Sequence, residues 1–142
     1  MKAAAHAIQN DVTFIPQLHE YYHGCTVVFC TLVQLAMEEA WKEVSQVLQF
    51  CTDVGLPVCF SDMSYEAPDQ ELLQKAAEKA CVAGSAIHHM PFSVTPQMIL
   101  KAMLRADEIG KAYKVVGILR ANERFYLIIF VFLIYFPRQR MR

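Results

Sequence analysis

From Cys25 to Ala40 the chain reads CTVVFCTLVQLAMEEA, and Val27, Val28, Phe29, Leu32, Val33, Leu35 and Ala36 leave it almost no polar face. A helix that is apolar nearly all round is stable only when other elements surround it. This segment therefore predicts the central helix of a bundle, and the flanking sequence predicts the helices that cover it. Trp41 to Val54 carries Val44, Val47, Leu48, Cys51 and Val54 on one helical stripe. Gly55 and Pro57 form its stop signal. Pro68 suits the first turn of a helix running to about Ala83, closed by Gly84, with Leu72, Leu73, Ala76, Ala77, Ala80 and Cys81 inward. Thr95 and Pro96 read as a cap followed by a first-turn proline, opening a helix to about Lys114 with Ile99, Leu100, Met103, Leu104 and Ile109 apolar. A short helical piece covers Ala3 to about Gln9. No alternating strand pattern appears before residue 115, so the expected fold is all-α, a bundle of about five helices.

The chain has 142 residues, one domain's length, with 55% apolar and 19% charged residues. Soluble domains usually hold about 45–50% and about 25%. The surplus suggests a missing partner surface, a membrane contact or a fragment, with self-association or pairing through the exposed apolar surface as the expected partner mode. A net charge of −1 offers no electrostatic basis for binding nucleic acid. The five cysteines (Cys25, Cys30, Cys51, Cys59, Cys81) form no CxxC and no finger spacing. They are expected as free thiols in a reducing compartment. Met1 and Lys2 lead straight into an alanine run, so no signal peptide is expected.

Three of the five histidines fall between Ala3 and Gly24. Imidazole is a common zinc ligand. His6 and His23 are too far apart to share one helix face, so they meet only if the chain turns between them, and Pro16 suits such a turn. From spacing alone they are either a metal pair or ordinary surface histidines. His19 reads as solvated, and His88 and His89 as packing or surface residues.

The stretches AAAHAIQN, HEYYHG and VVFCTLVQL, followed in order by GLPVCFSDM, ACVAGSAIHHMPFSVTPQMI and KAMLRADEIGKAYK, resemble the C-terminal domain of glycerol dehydrogenase. That family is one of the metal-dependent, iron-containing-type alcohol dehydrogenases. The resemblance covers about residues 3–114. It implies a helical domain of a two-domain enzyme, with His6 and His23 as two of three ligands to a catalytic zinc. The third, an aspartate, lies in the family upstream of the first histidine motif and has no counterpart in this chain. The resemblance further implies oxidation of glycerol to dihydroxyacetone, with hydride passing to NAD and zinc acting as Lewis acid. The family's nucleotide-binding domain, with its Gly-rich turn, also has no counterpart here, since Gly24, Gly55, Gly84, Gly110 and Gly117 form no phosphate-cradling loop. The chain is therefore expected to be a cytoplasmic fragment, inactive alone and weak in binding zinc.

There are local departures from the family pattern. Gln9 and Asp11 stand where the family usually has a second histidine and a glycine. Cys25, Thr26 and Cys30 replace a charge pair and a glycine. GSAIHHM stands where GETIHNM is common.

Residues 115–142 read differently and are expected to form an atypical hydrophobic tail. Phe125 to Phe136 is an unbroken apolar run, followed by Pro137 and RQRMR. It is shorter than the run of about 20 residues that a membrane-spanning helix needs. Its composition suits a short anchor, an exposed strand or, as the expected case, sequence unrelated to the family. The alternatives to an enzyme fragment are a non-catalytic helical interaction module and a tail-tethered membrane protein.

Overall fold

The computed structural model describes residues 3–135, with side chains placed for residues 4–121. Six α-helices and two short 3-10 helices make up the described chain, and no strand occurs in it. They are α1 (Ala3–Val12), α2 (Pro16–His19), α3 (His23–Met37), α4 (Trp41–Val54), α5 (Gln70–Ala80) and α6 (Pro96–Tyr135). The 3-10 helices are Phe60–Met63 and Ala86–His89. The all-α expectation is met. The chain divides into two compact units, Met1–Lys111 and Ala112–Arg142.

In the first unit α1, not the expected α3, is the helix with most packed neighbours. α3 packs against α1 and α4 and buries Phe29, Cys30, Leu32, Val33 and Ala36, while its Val27, Val28 and Leu35 are half-buried. Phe29 meets Phe60 at 4.5 Å between ring centres, and Phe60 meets Tyr65 at 5.5 Å, edge to face. α1 also packs on α5 and on the Ala86–His89 turn. α5 contributes Leu73, Ala76, Ala77 and Ala80 to the core, with Leu72 and Cys81 only half-buried. Small residues on α5 let the helices approach closely while Ile8, Ile15, Ile87 and Ile99 fill the space between.

The helix ends follow local chemistry. Gly55 closes α4 at φ +75°, a left-handed conformation that favours glycine. Leu56 N–H then reaches back to the Cys51 carbonyl at 2.8 Å, so the last turn keeps its hydrogen bonds. Val54, expected inward, is exposed because this closing turn carries it past the edge of the core stripe. Thr95 caps α6 as expected, its hydroxyl accepting from Met98 N–H at 3.3 Å. α5 starts later than expected. Asp69, rather than Pro68, sets its first turn by accepting from Glu71 N–H at 2.8 Å and Leu72 N–H at 3.3 Å. α3 starts earlier than expected, at His23 instead of Cys25, where the buried Thr26 hydroxyl donates to the His23 carbonyl at 3.0 Å.

The helix expected to end near Lys114 instead continues, and the backbone stays helical to Tyr135, although the boundary between the two compact units falls close by, after Lys111. Neither a strand nor a loss of helical pattern follows from Phe125–Tyr135, because no proline interrupts that stretch and helix propagation adds one hydrogen bond per residue. Val115, Val116, Ile118 and Leu119 are exposed on the same helix. Among the described residues no helix is long and apolar enough to cross a membrane. Met1 and Lys2, and Phe136 to Arg142 with Pro137 and the RQRMR end, lie outside the described residues.

Candidate functional site

His6 lies in α1, and His23 is the first residue of α3. The chain between them is folded back by Pro16, which opens α2 after Ile15. Ile15 and Leu18 are buried there and hold the reversal against the core. The two imidazoles consequently meet at 6.1 Å between ring centres, with their planes 67° apart. Both residues are exposed. Gly24 beside them leaves open space where a side chain would stand.

A tie that sequence reasoning misses registers α1 on α3. Ala5 N–H, in the first turn of α1, has no acceptor within its own helix. Gln34 on α3 supplies one with Oε1 at 3.0 Å and steadies its own carboxamide by donating from Nε2 to Glu38 at 2.9 Å. Gln34 is buried, and its signal in the sequence is a lone amide inside an apolar helix. This contact fixes the helix that carries His6 against the helix that carries His23.

Gln9, on the same helix as His6, is 3% exposed, and its Oε1 is a buried atom without a hydrogen-bond partner. Asp11, further along, is half-buried, and desolvation raises its carboxyl above the ordinary range despite the nearby charge of Lys79.

The other histidines are placed elsewhere. His19 Nδ1 pairs with the Thr13 carbonyl at 3.1 Å. His88 Nε2 reaches the carbonyls of Cys81 and Val82 at 3.3 and 3.2 Å. His89 is exposed. All five cysteines are free, and burial pushes the Cys30 thiol far above its usual range, which leaves it inert.

The histidine pair can be tested against zinc on distance. A zinc-bound imidazole nitrogen lies about 2.0–2.1 Å from the ion, which puts the ring centre roughly 3.2 Å away. Two rings sharing an ion are then at most ~6.4 Å apart between centres, and ~5.2 Å at a tetrahedral angle. The observed 6.1 Å falls within that limit, and small side-chain rotations cover the rest. The donors fit zinc as part of a ligand set. Among the described residues no group of three or more His, Cys, Asp or Glu is placed to hold an ion, and zinc sites usually take at least three protein ligands.

Glycerol dehydrogenase of Citrobacter freundii is 40% identical over 112 residues, which span 78% of this chain and 31% of that protein. Glycerol dehydrogenase of Pseudomonas putida is 38% identical over the same share of each. A glycolaldehyde reductase of Halobacterium salinarum is 36% identical over 110 residues, 77% of this chain and 30% of that protein. Among solved structures, a probable glycerol dehydrogenase from Sinorhizobium meliloti superposes with a TM-score of 0.73 at 31% identity, covering 77% of this chain and 31% of that one. Glycerol dehydrogenase from Schizosaccharomyces pombe superposes at 0.77 with 25% identity, covering 81% and 30%. No protein-family model matches the chain. By sequence and fold the chain matches a helical segment of an oxidoreductase family. That family is glycerol dehydrogenase, and the chain spans about 31% of the length of the curated relatives it matches.

Proposed function

We propose that this chain is the zinc-ligating helical part of a glycerol dehydrogenase, with His6 and His23 as two of the ligands. The observation that carries the reading is the meeting of the two rings, distant in sequence, at 6.1 Å on neighbouring helices. The family's chemistry is oxidation of glycerol to dihydroxyacetone, the hydride passing to NAD and the hydroxyl proton to solvent. When bound, zinc serves there as a Lewis acid toward the alcohol oxygen. The chain's own part is positional. The imidazoles supply nitrogen donors, Thr26 anchors the turn that presents His23, and Gln34 locks the two helices in register. The third ligand and the NAD cleft belong to the length of the relatives that this chain does not match. Catalysis needs metal, substrate and cofactor held within about an ångström of the productive geometry. The 142 residues alone therefore reduce no NAD. In this reading residues 1–114 form the metal-binding portion, and residues 115–142 are an atypical hydrophobic tail whose sequence is unrelated to the family.

The test is a zinc titration of the chain by calorimetry, with His6→Ala and His23→Ala alongside, and a glycerol-dependent NAD reduction assay of the same samples. Expected are weak binding that either substitution lowers by about tenfold or more, and no NADH. Binding untouched by both substitutions, or steady NADH formation by the chain alone, contradicts the reading.

A further inference from the structure

We propose that Gln9 is a positioning residue for the histidine pair, its Oε1 accepting the ring N–H of His6 that is not used toward the ion. The inference rests on the two-histidine reading above. Among the described residues, Gln9 Oε1 is the buried side-chain polar atom left without a partner. Other buried polar side chains are engaged: Thr26 with the His23 carbonyl, Gln34 with Ala5 and Glu38, Asp107 with Phe60 and Lys111. Folded proteins rarely leave a buried carbonyl oxygen unpaired, because its desolvation is then uncompensated. The exception here sits on the helix that carries His6.

Helix geometry makes the pairing reachable. Residues three apart, as His6 and Gln9 are, are neighbours on a helix surface, with Cβ atoms about 5–6 Å apart. The chemistry fits as well. A carboxamide oxygen accepts only, and a neutral imidazole that gives one nitrogen to a metal carries its proton on the other. Metal-bound histidines usually donate that proton to an oxygen, which fixes the tautomer and the ring orientation. His6 is exposed, so its ring is free to turn; Gln9 is held by burial, so its oxygen is a fixed mark to turn toward.

The experiment compares the chain with Gln9→Leu, Gln9→Glu and His6→Ala. Zinc affinity is read by calorimetry, and the His6 ring N–H by ¹H–¹⁵N NMR of zinc-loaded protein. Gln9→Leu should lower zinc affinity by about tenfold and abolish a slowly exchanging His6 ring N–H signal. It should also raise the metal-free melting temperature, since it removes the unpaired oxygen. Gln9→Glu keeps an acceptor and should keep the signal, which gives a readout even if Gln9→Leu folds poorly. Gln9→Leu with unchanged affinity and an unchanged ring signal overturns the inference while the histidine pair stands. If His6→Ala also binds zinc normally, the two-histidine reading itself has failed.

Discussion

Asp107 shows how much one side chain can organise. It is 6% exposed, accepts the Phe60 N–H at 2.8 Å with Oδ1, and pairs with Lys111 at 2.7 Å through Oδ2. Phe60 is fully buried, so its amide has no water to turn to if Asp107 is lost. Asp107→Ala should destabilise the chain by about 1–3 kcal/mol. Asp107→Asn keeps an acceptor oxygen and should cost clearly less; urea denaturation of both variants measures the difference. Gly110 is constrained by space instead. A Cβ there would run into the Val58 carbonyl, which is backbone and cannot swing aside. Gly110→Ala should cost about 1–3 kcal/mol by overpacking, seen as a lower urea midpoint. Neither role is legible in the sequence until segment 58–60 is known to lie against Asp107 and Gly110. The reason is general: both depend on contacts with a distant part of the chain, which helical periodicity does not encode.

The helices themselves are far more legible. Apolar spacing marks α4 from Trp41 to Val54 at both ends, because the Gly55 stop is a local backbone requirement. Boundaries set by side-chain capping are harder to place. Pro68 draws the expected start of α5 too early, while the Asp69 carboxylate makes the actual cap. Asp69→Ala should therefore cost about 1 kcal/mol, within the usual range for an N-cap, with a matching fall in the thermal midpoint by circular dichroism. α6 departs from expectation in the other direction. The change of composition after Lys114 reads as a change of structure, but an apolar run without proline continues a helix as readily as it forms a strand. Apolar character is no guide to burial there either, since Val115, Val116, Ile118 and Leu119 are exposed.

The chain, helical and without strands among its described residues, spans less than a third of the length of the relatives it matches. The candidate site is legible to a similar, partial degree. Its two histidines stand out as a pair only through resemblance, because the residues between them carry no periodic signal for a meeting. Their approach depends on the Pro16 reversal, the Thr26 anchor and the Gln34 tie, of which only the first stands out in the sequence. In the proposed reading these elements deliver two imidazoles to one ion. Zinc K-edge X-ray absorption on the zinc-loaded chain decides this, since five free cysteines offer a competing ligand type. The spectrum should show two imidazoles in a nitrogen and oxygen shell at about 2.0–2.1 Å, reduced to one by His6→Ala. A shell dominated by sulfur at about 2.3 Å, or one whose imidazole count His6→Ala leaves unchanged, would contradict the reading.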